Sequence, residues 1–287
     1  MPKERFHLYL ADELLNRCAG SLPLNEILSP PARPRGLAFS IGAISPDIFF
    51  YDLPSFSLTS LGDALHDLIE REGISIISDW IVQTCSPLKT AHSSTVLWGL
   101  GFACHFLTDG AWHPVIKELS GSRLVRDYSG VKRLSETECH RLLECELEAL
   151  WLPRSPTPGR YDELLKDFKR DRGRLFEIAS CYRRFLEFAG LSAGVSERRI
   201  VKCFLCQNFL LRLFSNSMLG RRRDRMLSRP PTRSLGALVT PLRPILPALF
   251  SRALPEDRNP FSDYFMKQAL TAIEAHLFVF AKRLSTD

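Results

Sequence analysis

The chain has 287 residues, 45% of them hydrophobic, and its 38 basic and 32 acidic side chains leave a formal charge of +6. That is enough apolar material for a sizeable core, as one large domain or two small ones, so the fold does not need disulfide staples. The positive excess is local, in "GRRRDRMLSRPPTRS" (220–234) and "DFKRDRGR" (167–174), without interleaved aromatics, so it argues only weakly for nucleic acid and fits anionic lipid equally well.

"MPKERFHLYLADELL" has no apolar region after its charges, so no signal peptide is read, and no apolar run reaches transmembrane length. The expectation is a cytoplasmic chain, in peripheral contact with a membrane where it meets one. Helical period then dominates from end to end. "HLYLADELLNRC" (7–18) is a first helix, followed by a turn-rich stretch over 21–36. "LAFSIGAIS" (37–45) is a second helix that ends before Pro46, because the residue preceding proline resists the helical conformation. One or two amphipathic helices surround Gly73 over 59–85. The stretch 93–113 is apolar nearly all round and belongs in the middle of a bundle, and Pro114 predicts a bend or helix end near His113.

Ser135 and Glu138 have capping-box spacing at the start of the next helix, 135–152, whose partner across a loop is 160–171. Helices over 172–190, 196–217 and 264–284 complete an all-α, multi-helix bundle of one domain. Between the last two, repeated prolines predict an irregular Pro/Arg-rich insert over about 219–260. The eight cysteines lie mostly in apolar helical patterns and read as reduced core thiols, including the CxxC pair Cys203 and Cys206, which has no second pair to complete a metal site.

Seven histidines remain to be placed. His105, Asp109 and His113 are four apart, so on a helix all three side chains share one face. His140 and Glu144 repeat the spacing on another helix. Asp47 sits at a break inside an apolar segment, and His66 has Gly62 one turn before it. Burying Asp109 in so apolar a helix costs several kcal/mol unless a cation or a proton compensates it. Each pair taken singly also fits a hydrogen-bonded or solvated pair; together they point to a metal site built by several helices.

The ordered set His7, Pro46–Asp47, His66, His105xxxAsp109, His113–Pro114 and His140xxxGlu144 resembles the zinc-dependent phospholipase C family. The likeness covers about residues 5 to 150 and includes the strings GxxxPD (42–47) and GxxxHxxxDxxxHP (101–114). It implies an all-α bundle, of the type shared with helical trinuclear nucleases, holding two zinc ions and a third. By this resemblance Asp47, His66, His105 and Asp109 bind the first zinc, and His113, His140 and Glu144 the second. His7 serves the third, which Asp109 bridges to the first. In secreted members the free amino terminus also binds that third zinc; here six residues precede His7, a departure from the pattern. His92 and His276 are left unclaimed.

The chemistry the resemblance implies is hydrolysis of a phosphodiester by metal-activated water, with Asp47, then Glu144, as the carboxylate that orients or deprotonates it. A phospholipid or similar ester is the first substrate expected. A phosphodiesterase on another substrate, such as single-stranded nucleic acid, is the alternative, and a helical interaction protein with a relic site is the third reading.

Overall fold

The computed structural model describes residues 4–18, 34–84, 94–126, 134–151, 153, 172–192, 194–214, 217–229, 232–241 and 244–286. The turn-rich stretch before Pro34, Cys85, His92 and the helix expected over 160–171 lie outside them. Among the described residues every regular element is helical, and the fold is all-α. The longer helices are α1 (Glu4–Cys18), α2 (Pro34–Ile44), α3 (Thr59–Glu72), α4 (Ser75–Thr84) and α5 (Ser94–Ser120). A four-residue turn, α6 (Arg123–Arg126), leads to α7 (Glu136–Trp151), α8 (Arg172–Phe188) and α9 (Glu197–Phe214). The insert contributes α10 (Ser217–Gly220), α11 (Arg223–Ser228), α12 (Arg233–Ala237) and α13 (Leu246–Ala253), before α14 (Asp263–Thr286) closes the chain. No described helix is long and apolar enough to cross a membrane.

The chain groups into two compact units. One comprises Leu10–Leu107, Gly159–Asn208 and Ala272–Asp287. Its core is aromatic: Trp80, Trp98, Phe102, Tyr182 and Phe185 are buried and meet edge-on or tilted. Glycine brings the backbones of α2 and α5 into direct contact here. A Cβ on Gly101 would overlap the Phe39 carbonyl, and one on Gly42 the Trp98 carbonyl. Pro46 then stops α2, and its last carbonyls turn to side chains. The Ser45 hydroxyl donates to Ile41 O at 2.7 Å and accepts from Trp98 Nε1 at 3.0 Å. Gln207 Nε2 donates to Ile44 O at 3.3 Å. The chain leaves this junction as a 3₁₀ turn over Pro46–Tyr51, with Asp47 buried at its start.

The other unit comprises Met1–Tyr9, Thr108–Pro158 and Phe209–Thr271. Its α7 opens with the expected capping box: Ser135 N donates to Glu138 Oε2 at 2.9 Å, and Glu138 N donates to Ser135 Oγ at 3.2 Å. The insert, expected to be irregular, forms its short helices against α7, because α7 carries buried acceptors for it. Glu146 is fully buried, with Arg223 Nη1 at 2.5 Å and with Ile245 N and Leu246 N donating to its other oxygen at 2.6 and 3.0 Å. It thereby caps α13. Thr240 Oγ1 donates to Glu148 at 2.8 Å, and the Cys145 thiol to Ala237 O at 3.2 Å. Of the bend or helix end expected near His113, the helix end does not occur: α5 runs on to Ser120 through Pro114. Ile116 and Leu119, both buried beyond the proline, hold that last turn and a half in place.

Candidate metal centre

The three-dimensional arrangement of Asp47, His66 and His105 follows from the α2–α5 contact. With α2 and α5 touching at Gly42 and Gly101, the carbonyl of Ala43 lies 2.9 Å from His105 Nδ1. A carbonyl only accepts, so Nδ1 carries a proton, and in the neutral imidazole Nε2 then keeps its lone pair. The same holds for His66, whose Nδ1 donates to Gly62 O at 2.8 Å. Gly62 also lets α3 approach the 3₁₀ turn, since a Cβ there would stand 3.1 Å from the Phe50 ring. The two Nε2 atoms lie 3.3 Å (His66) and 3.8 Å (His105) from Asp47 Oδ1. Two imidazole Nε2 atoms and a buried carboxylate thus face one another, an arrangement that a positive charge among them, a cation or a proton, favours.

In the other unit, Asp109 Oδ1 lies 3.2 Å from His7 Nε2 and 3.3 Å from His113 Nε2. Glu144 Oε1 lies 3.0 Å from His140 Nε2 and 3.6 Å from His113 Nε2. His7, Asp109 and Glu144 are buried, while His113 and His140 are partly open to solvent. A cavity meets this cluster, lined by His7, Asp109, His113 and Glu144 together with the apolar Phe6, Trp112, Ile116 and Leu147. Trp112 is clamped edge-on between Phe6 and Phe265, with ring centres 5.3 and 5.5 Å away.

All eight residues singled out from the sequence therefore fall into one cluster or the other. His276 is exposed on α14 and joins neither. Two further features escaped sequence reasoning. The carbonyls of Ala43 and Gly62, which set the two tautomers, carry no side-chain signal at all. The second is an anchor behind the 3₁₀ turn: Arg199 grips buried Asp52 through Nη2 at 2.7 Å and Nε at 3.3 Å, with the Ser55 and Ser57 hydroxyls on the same carboxylate. The guanidinium holds the Asp52 carboxyl well below the usual range, against the effect of burial.

Residues 6–187, well over half the chain and the whole span of the ligand set, match the family described as zinc dependent phospholipase C. The chain belongs to the zinc-dependent phospholipase C family. No curated protein and no solved structure matches it. Membership makes it a zinc-dependent hydrolase in general terms, and the donor chemistry fits. Asp47, His66 and His105 offer one set of nitrogen and oxygen atoms within 4.8 Å of one another, and His113, His140 and Glu144 a second. Imidazole and carboxylate are zinc's usual partners outside cysteine sites, and three protein ligands per ion leave a coordination position open, as catalytic zinc requires. The carbonyl-held Nδ1 protons are the outer support such ligands need.

Proposed function

We propose that this family member is a phosphodiester hydrolase of phospholipase C type, cleaving a glycerophospholipid or an ester like it. Two zinc ions are held by the sets Asp47–His66–His105 and His113–His140–Glu144, and His7 with Asp109 serves a third. Bound zinc would supply positive charge against the phosphate oxygens and make a water acidic enough to act near neutral pH. The remaining work falls to the chain's own groups. We assign Asp47 to orienting the attacking water and taking its proton, with Glu144 as the second carboxylate able to do so.

The observation that carries the lipid reading is the mixed lining of the cavity at the second cluster. Its lining combines four candidate metal-binding side chains, His7, Asp109, His113 and Glu144, with the apolar Phe6, Trp112, Ile116 and Leu147. An ester with an anionic head and an apolar body matches the residue types of this lining, whereas a nucleic-acid strand needs a basic groove with stacking rings. Thr108 and Trp112 line the same cavity, and the buried Thr108 hydroxyl and Trp112 indole N–H have no hydrogen-bond partner among the described residues. They are neutral donors for an ester oxygen and would orient it without adding charge.

Parallel turnover of a phosphatidylcholine analogue and of single-stranded DNA by the zinc-replete protein tests the proposal. Release of phosphorylated headgroup with little DNA cleavage is expected. Preference for DNA would move the site to the nuclease reading, and no turnover of either would leave a relic site.

A further inference from the structure

The Arg-rich segment has a buried side and an exposed one. Arg223 turns inward to Glu146 and is buried. Its neighbours Arg221, Arg222 and Arg225 are exposed, as is Arg212 on α9. The same stretch exposes large apolar side chains: Phe209 is 65% accessible, Leu213 43% and Met218 50%. On α9 this follows from helical spacing, since Phe209, Arg212 and Leu213 project from one side while Leu211, opposite, is buried. Between Phe209 and Arg229, Asp224 is the single acidic residue.

We infer that this stretch, Phe209 to Arg225, is a docking surface for an anionic lipid bilayer. Charge complementarity selects the occupant: arginines interleaved with Phe, Leu and Met suit a layer of anionic headgroups above acyl chains. The apolar groups enter the chains and the guanidinium groups stay at the headgroups on their flexible stems. Nucleic acid would match the charge but has no use for Leu213 and Met218, and Phe209 alone is no stacking platform. The surface lies beyond residues 6–187, so it belongs to the part of the chain that the family match does not cover. It rests on the lipid reading for its purpose and on its own residues for its chemistry.

Flotation of the zinc-loaded full chain with two vesicle types tests this: pure phosphatidylcholine, and phosphatidylcholine mixed with phosphatidylglycerol. Binding to the mixed vesicles, weakened by salt, is expected. Arg221→Gln with Arg222→Gln should lower partition about 30-fold, taking about fivefold per arginine at an anionic surface. Phe209→Ser with Leu213→Ser should abolish the binding that survives high salt. Both double variants should keep their zinc and their turnover of a soluble diester such as bis(p-nitrophenyl) phosphate, which separates docking from folding and catalysis. Equal binding of the wild type to both vesicles, or wild-type binding by either variant, overturns the inference. So does single-stranded DNA displacing the protein from vesicles in a way that depends on the same arginines. Docking without diester turnover would sink only the catalytic reading, and turnover without docking only this surface.

Discussion

His105 Nδ1 donates to the carbonyl oxygen of Ala43 at 2.9 Å, and this bond decides which way the imidazole faces. It exists because α2 and α5 touch at Gly42 and Gly101, so a packing detail orients a candidate metal ligand. Gly101→Ala drives a methyl into the Phe39 carbonyl. The variant should lose about 3 kcal/mol, seen as a fall in melting temperature of about 8 °C, and bind zinc more weakly at Asp47, His66 and His105. Wild-type melting and zinc content would mean that the helices separate without consequence.

Asp109 is shared by His7 and His113 at 3.2 and 3.3 Å. Asp109→Asn keeps the shape and removes the charge, so it should cut turnover of a soluble diester by more than about 100-fold and lower zinc content, with little change in circular dichroism. Full activity with unchanged zinc would remove Asp109 from the centre.

The spacing His105–Asp109–His113 was legible because helical period converts sequence distance directly into a shared face. Asp47 was legible as a charge at a proline break in an apolar run, and His140–Glu144 again by period. What stayed hidden depends on backbone atoms and on partners far along the chain. The Ala43 carbonyl has no side chain to betray it, and Arg199 lies 147 residues from Asp52. Glu144, Glu146 and Glu148, alternating within one helix, were too many acids for a buried element, a signal that each had its own partner. Prolines gave less than their positions promised: Pro114 marks no helix end in α5, and the insert is helical where α7 offers it acceptors.

Glu148 supplies a pH test. Burial pushes its carboxyl up to about 8, partly offset by Arg5 and the Thr240 hydroxyl. The folded state then keeps a proton that the unfolded state releases near 4.5, so this group's contribution to stability is whole below about 4.5 and declines until about 8. Relative to Glu148→Gln, wild-type melting temperature should therefore fall across that window and level off above it. Parallel profiles for the two proteins would mean that Glu148 does not titrate there.

Arg199→Ala leaves Asp52 buried without its guanidinium. The Arg199 side chain is one-third exposed, which tempers the loss, so a destabilisation of about 2 kcal/mol is expected, with weaker zinc binding through the 3₁₀ turn that carries Asp47. Asp52 is held low, so this stabilisation is present at neutral pH and is lost in acid, as the pH falls below 3.8 towards its folded value. A variant as stable as wild type at neutral pH would show that the pair is dispensable.

The central claim is that two separate sets of side chains each hold a zinc ion. Elemental analysis of the zinc-replete protein beside His66→Ala and His140→Ala tests it most directly. The expected result is at least two zinc atoms per chain in the wild type and one fewer in each variant. A wild type without zinc, or variants that keep the full complement, would contradict it.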